Sequence, residues 1–558
     1  MYFPLTFGKM IFNFRNYLFL LCLFFSYAVQ AQKEITFTKY DYLHGKLNAN
    51  RNWFDVNHYN ITVKIDPSKK YISGNNTITY TVLKSAGIMQ LDVHGLIKID
   101  SIVFRNNKIA YTRDSSIVLI KLPKAAKNST QQIKVYFSGY PLIASKAPWS
   151  GGFVFTKDSL HRDWVGLACQ GLGASTWLPC KDHNSDEADS VTLHLQVPEG
   201  LTGVSNGKLI GSKTLHNGFH EYVWKVTYPI NNYNITINVG HYKLIADTYT
   251  SITQNYLTPL SLNYYVLDYN YNKALEHFKQ VKTMLSCYER FFNPYPFWND
   301  GYKLVETPYW GMEHQSCVSY GNDYTNNRWD FDFIIIHESA HEWFGNCLTA
   351  PDPAELWIHE SFTTYAESVF LECTTNKETA QKYLNMQKRN IENNVSMIGT
   401  RDVFFHHFPD NDIYYKGTWM LHTIRNVLNN DTLWFNTLKD YVKKFAYKNV
   451  TTQQTIDFIC TRTNTSLQKI FEQYLTAANL PVFEYQIKEN ARGNLELRYR
   501  WNDVVDGFQM PIKVTLSKDS FQLIIPDNKW RVADINFFNK KDFRVDTSHY
   551  LFTTKEIK

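Results

Sequence analysis

His337-Glu338-Ser339-Ala340-His341, with Glu360 following after eighteen intervening residues, decides how the rest of this chain is read. On a helix, residues four apart lie on one face, so both imidazoles can converge on a single ion. Two histidines and one carboxylate form a zinc site whose fourth, tetrahedral position is left to water. Zinc brings the pKa of such a water to about 7, and Glu338, one residue after the first ligand, is placed to accept its proton. The apolar run Phe331-Asp332-Phe333-Ile334-Ile335-Ile336 leads into the motif and would bury the start of that helix. The alternative is a buried helix with two structural histidines. The stretch Trp357 to Glu367 tells against it. It reads as a second helix that sets Glu360 among aromatic and small residues, where a carboxylate needs a cationic partner.

At 558 residues the chain is too long for one core, and two to four domains are expected. Residues 1–31 read as a signal peptide. Lys9 and Arg15 supply its basic region, Leu18 through Phe25 its apolar region, and Val29-Gln30-Ala31 a cleavage site before Gln32. An uncleaved anchor is the alternative, but the apolar run is short for a full span. Cys22 lies in that run without a convincing lipobox. No later stretch has eighteen uninterrupted apolar residues, so a mature chain without a membrane span, periplasmic or extracellular, is expected. Loss of Lys9 and Arg15 lowers the formal net charge from +6 to +4, and no basic run suggests nucleic acid. The cysteines beyond the leader are sparse and odd in number, which argues against a disulfide framework. None has zinc-finger spacing, and most are expected to be small buried residues. No obligate partner is evident.

The pattern predicts a multidomain α+β fold. From Trp53 to Tyr242 it is mostly period two, as in Tyr59–Ile65 and Thr77–Val82, with Asp66-Pro67 and Gly74-Asn75-Asn76 read as turns. A β-rich N-terminal domain over 32–246 follows. Tyr271–Phe292, the two motif segments, Trp419–Leu428 and Gln453–Ala477 read as helices of a catalytic domain over 247–482. Leu480-Pro481 closes the helices, and alternation returns in Phe483–Ile487 and Leu495–Tyr499, predicting a small β-sandwich over 483–558. No flexible linker is visible, so closely abutting domains are expected.

Taken together, these segments resemble the M1 family of zinc aminopeptidases, gluzincins that include aminopeptidase N and leukotriene A4 hydrolase. The likeness is densest from Trp310 to Glu367, where Trp310-Gly311-Met312-Glu313-His314 precedes the zinc motif. Asp55-Val56-Asn57-His58-Tyr59 and Phe292-Asn293-Pro294-Tyr295-Pro296-Phe297 also resemble family segments. The resemblance implies a saddle-like N-terminal β domain, a thermolysin-like catalytic domain, and one zinc ion on His337, His341 and Glu360. It also implies that Glu313, with Gly311 and Met312, binds substrate, the carboxylate pairing with a free α-ammonium of pKa about 8. Trp310 and His314 depart from the Gly and Asn common in this element. Cys169-Gln170-Gly171 through Leu178-Pro179-Cys180-Lys181-Asp182 resembles the stretch whose glutamine meets the substrate N-terminus, so Gln170 could offer its carbonyl beside Glu313. Tyr414-Tyr415-Lys416-Gly417 resembles the element that aims a tyrosine at the metal. Register favours Tyr414 over Tyr415 as the donor to the oxyanion.

The expected activity is hydrolysis of the N-terminal peptide bond of peptides by a zinc-activated water, with Glu338 as general base and Tyr414 on the oxyanion. A zinc hydrolase of a non-peptide substrate and a non-catalytic peptide-binding protein are the alternatives. Many members carry a large helical C-terminal domain. Nothing after Phe483 reads as one, which predicts a more open cleft.

Overall fold

Alternating buried and open positions build the N-terminal half. Phe54–Asp66 and Tyr71–Val82 pair antiparallel along their length, with the apolar residues of each on the covered face. The turn joining them is 67–70, where Asp66 accepts from Ser68 Oγ at 2.7 Å and Lys69 N at 3.2 Å. Gly74-Asn75-Asn76, read from sequence as a turn, is instead strand. Gly74 lies opposite Val63, and a Cβ there would stand 1.9 Å from Thr62 O. Glycine is required by that close approach of two backbones, not by a reversal of direction. The pair sits inside an eight-stranded sheet, whose order is Lys208–Thr214, Phe219–Val226, Ser190–Pro198, Phe54–Asp66, Tyr71–Val82, Thr130–Gly139, Ile97–Phe104 and Asn107–Ile109.

The computed structural model describes residues 36–558 except 86, 255, 405–408, 490–493 and 537–538; the expected signal peptide lies outside the described residues. Among the described residues no helix is long and apolar enough to cross a membrane.

A five-stranded mixed sheet joins the two halves. Its order is Tyr242–Tyr249, Leu260–Leu267, Tyr302–Glu306, Val318–Tyr320 and Gly311–Met312. The first of these strands runs across the expected boundary at 246/247. Both faces of the sheet are covered, which is why every residue of Tyr302–Glu306 is buried. Tyr264 and Leu304 turn to the core shared with the helices, while Tyr265, Val305 and Met312 turn to the core of the N-terminal sheet. The side-chain period of two thus welds two cores through one sheet.

Helices follow. The Tyr271–Phe292 helix read from sequence divides into Tyr271–His277 and Gln280–Phe292. The last one divides at Asn464, in the left-handed region at φ 50°, into Thr452–Thr463 and Gln468–Thr476. Trp357–Thr374 runs through the middle, with every residue from Trp357 to Leu371 buried. Tyr415–Leu428 crosses it closely: a Cβ on Gly417 would lie 1.7 Å from Ser361 Oγ. The chain continues into a four-stranded sheet, ordered Arg531–Asp534, Leu495–Asn502, Val482–Glu489 and Thr553–Glu556, and a hairpin of Ile512–Ser517 with Ser520–Ile524. Phe483, Trp501 and Phe552 share one apolar core with Tyr474 of the helical region.

Most of the cysteines are small buried residues, as expected, and two of them form a disulfide that the sequence did not reveal. Cys287 and Cys373 are bonded, tying the Gln280–Phe292 helix to the end of the central helix, and five buried thiols remain free among the described residues. An isolated pair 86 residues apart has no spacing signature, so the odd count hid it. Replacing both cysteines with alanine should lower unfolding free energy by about 2–4 kcal/mol. Urea midpoints that match those of the oxidised wild type would contradict this.

Candidate active site

Asp332 starts the motif helix, Phe333–Ala340. Its carboxylate accepts from Ile334 N at 2.9 Å and Ile335 N at 3.4 Å, an N-cap worth about 1 kcal/mol. The same fully buried group is tied to His277 Nε2 at 2.7 Å and Tyr320 OH at 2.8 Å, so the helix start is bonded to the central sheet. The helix ends at His341, which serves as its C-cap. His337 and His341 stand with ring centroids 5.1 Å apart.

Each imidazole is oriented from behind. His337 Nδ1 lies 2.7 Å from Glu367 Oε1; the other oxygen of Glu367 accepts from Tyr383 OH and, at 2.8 Å, from Gln387 Nε2. His341 Nδ1 lies 3.0 Å from the Phe344 carbonyl oxygen and 3.1 Å from Thr363 Oγ1. A carboxylate and a carbonyl oxygen can only accept, so both Nδ1 atoms carry hydrogen, and Nε2 is the atom each ring leaves for a metal. Both Nε2 atoms face Glu360 Oε2, at 3.8 Å from His337 and 3.4 Å from His341. Glu360 Oε2 is buried and has no hydrogen-bond donor. Burial alone would raise the Glu360 carboxyl, but His341 and His337 hold it well below the usual carboxylate range.

Two imidazole Nε2 atoms and one carboxylate oxygen therefore converge in one buried pocket. That is the donor set of a His₂Glu zinc site, with second-sphere partners already fixed. Glu313, Glu338 and His341 form an overlapping cluster of ligand atoms within 4.8 Å of one another, but it offers one imidazole only. Its carboxylates have other neighbours. Glu338, partly open to the cleft, has its carboxyl raised by burial, an effect His337 and His341 oppose and Glu360 adds to. Gly311 leaves it room: a Cβ there would meet Glu338 Oε1 at 2.9 Å.

Glu313 is buried, and Gln170 Nε2 donates to its Oε1 at 2.5 Å and to Glu360 Oε1 at 3.4 Å. The amide nitrogen of Gln170 thus faces the carboxylates, where its carbonyl was expected to serve, and the carbonyl oxygen points elsewhere. Burial pushes the Glu313 carboxyl up to about 7, against His341 and with help from Glu360 and Glu338. Asn346 Nδ2 holds the Glu313 backbone oxygen at 2.8 Å. His314, the departure from the common Asn, is fully buried against Ser319 Oγ at 3.0 Å, and burial pushes its pKa down to about 3. The side chain of Met312 joins the N-terminal core, so only its backbone borders the cleft. Gly311–Met312 is the edge strand of its sheet.

Tyr414 closes the group. Its ring lies 6.3 Å from that of His337, and Glu360, Glu313 and Glu338 surround its hydroxyl. Burial first, then those carboxylates, hold it protonated as a donor. Tyr415 turns instead toward Glu367 and Asn390. Lys416 Nζ is bonded to the Ala477 and Ala478 oxygens at 2.8 and 2.6 Å, anchoring the start of the Tyr415–Leu428 helix.

Sequence reasoning missed Glu367, Thr363, Asp332 and Tyr233. Thr363 and Glu367 stand three and seven residues after Glu360, on the same helix face, a spacing that could have found them. Tyr233, beside Glu313 and Glu360, comes from a short turn of the N-terminal half and left no signal.

Known proteins resemble this chain in sequence and in fold. Residues 276–474 match the profile of the peptidase family M1 domain, and 55–233 that of the peptidase M1 N-terminal domain. Endoplasmic reticulum aminopeptidase 1 of Mus musculus is 22% identical over 345 residues, covering 56% of this chain and 36% of that protein. Aminopeptidase N of Lactobacillus delbrueckii subsp. lactis is 22% identical over 470 residues, covering 80% of this chain and 53% of that protein. The chain thus spans between a third and about half of these relatives' length. An M1 zinc metallopeptidase from Deinococcus radiodurans superposes with a TM-score of 0.65 at 20% identity, covering 77% of this chain and 95% of that one. Its two profile matches, in the family's order and around this site, place the chain in the M1 peptidase family.

Proposed function

We propose that this protein is an exported zinc aminopeptidase that removes the N-terminal residue of peptides. The observation that carries this is Glu313, a buried carboxylate held by Gln170 beside the His337–His341–Glu360 cluster. Three carboxylates meet here, those of Glu313, Glu338 and Glu360. A divalent cation and one substrate ammonium neutralise them. A peptide without a free N-terminus supplies no ammonium and leaves a buried charge unpaired. The relatives named above are aminopeptidases, and a variant of the D. radiodurans protein is described as bound to a Tyr-Ser-Ala substrate.

In this reading the ammonium donates to Glu313, whose carboxylate Gln170 holds through its side-chain amide. The peptide backbone runs along the free edge of Gly311–Met312, adding a strand. His337, His341 and Glu360 would hold the zinc, which when bound would supply a Lewis acid for the carbonyl and lower the pKa of a water. Glu338 takes the proton of the attacking water and returns it to the departing amine. The Tyr414 hydroxyl donates to the oxyanion. The Cys287–Cys373 bond supports export, because oxidising compartments are where disulfides persist.

Glu338→Gln should lower turnover of Ala-4-nitroanilide by about 10²–10⁴-fold while zinc content by atomic absorption stays near that of the wild type. Near-normal turnover would sink the assignment of Glu338. Chelation should abolish activity and zinc should restore it, with N-acetylated peptides refused throughout; their cleavage would contradict the role of Glu313. Glu367→Gln should weaken zinc affinity about 10–100-fold in competition with a chromogenic chelator. Unchanged affinity would remove Glu367 from the support of His337.

A further inference from the structure

Two tryptophans stand in the open beside the site. Trp149, in the loop before the strand Gly152–Lys157, is 63% exposed, and Trp310, just before the edge strand Gly311–Met312, is 42% exposed. Their ring centroids lie 6.0 Å apart, with planes 34° from parallel. Burying one such side chain contributes several kcal/mol, so a pair of them left in solvent and in contact with each other marks an interaction surface.

The pair is continuous with the catalytic cluster. Trp310 stacks on Phe333 at 5.3 Å and 17°, and Phe333 stacks on His337 at 5.0 Å and 22°. Trp310 Nε1 donates to Asn322 Oδ1 at 3.0 Å, which holds the indole in place. An aromatic column thus leads from a zinc-cluster imidazole out to Trp149. The two tryptophans come from different halves of the chain and meet in one contact.

We infer that Trp149 and Trp310 form the subsite for the third residue of a peptide, taking aromatic or other large apolar side chains; this deepens the aminopeptidase reading and rests on it. Register identifies the occupant. With the ammonium on Glu313, the bond to be cut lies beside His337, and two further residues of extended chain span about 7 Å. The two stacking steps of 5.0 and 5.3 Å put the Trp310 ring no more than about 10 Å from His337, a distance that this backbone span plus the reach of a large side chain covers. Charge points the same way. Lys146 Nζ lies 5.1 Å from the Trp149 ring centroid. A basic side chain arriving there meets a like charge, whereas the C-terminal carboxylate of a tripeptide meets an opposite one. Trp310 occupies the position where the family resemblance led to glycine, so this wall of the cleft belongs to this chain's own sequence.

The test compares Ala-Ala-Trp with Ala-Ala-Ala by calorimetry on the full-length Glu338→Gln protein. Ala-Ala-Trp should bind about three- to tenfold more tightly, as an added aromatic contact implies. Adding Trp149→Ala, in an exposed loop, should reduce that preference to less than twofold, and Trp149→Phe should restore most of it. No preference, or a preference that survives Trp149→Ala, overturns the subsite. Wild-type cleavage of Ala-4-nitroanilide, which has no third residue, separates the two readings. Cleavage without the preference sinks the subsite alone. A Trp149-dependent preference without cleavage sinks the peptidase reading and leaves a peptide-binding platform, and absence of both sinks both.

Discussion

The constraint on which the rest of the structure depends is the meeting of three ligand atoms, His337 Nε2, His341 Nε2 and Glu360 Oε2, inside one buried pocket. Such a meeting is repulsive unless a cation lies at its centre. The protein has to hold it by force of packing. Asp332 bonds the start of one helix to the sheet, Glu367 and the Phe344 carbonyl set both imidazole tautomers, and Gly417 lets a third helix press against Ser361 beside Glu360. The disulfide ties the far end of the Glu360 helix to its neighbour.

The central sheet explains why the N-terminal half matters to chemistry performed by the helical half. Residues on one face of its strands belong to the helical core, and residues on the other face to the N-terminal core. Gly311 and Glu313 lie at its edge, and Gln170 and Tyr233 reach them from the N-terminal side. The metal cluster is thus built by helices. The group that would recognise the substrate amine is assembled across the junction of both halves.

How much of this was legible follows from how local each signal is. His337, Glu338 and His341 are set by a spacing of four, and Glu360 by the unusual burial its neighbours imply. The strands Phe54–Asp66 and Tyr71–Val82 were visible in period two. Gly74 was misread because a glycine serving a close strand approach has the same letter as one serving a turn. The Cys287–Cys373 bond, Tyr233 and the partnership of Trp149 with Trp310 join residues far apart in sequence, and no pattern within one segment encodes them. Glu367 lies between these extremes: its spacing from Glu360 was on view, but its partner was not.

The most direct measurement of the central claim is anomalous diffraction at the zinc absorption edge from crystals of the protein grown with zinc. One peak is predicted, bonded to Nε2 of both His337 and His341 at about 2.0–2.1 Å and to the Glu360 carboxylate. A peak held through Nδ1, or centred on Glu313, Glu338 and His341 without His337, would contradict it.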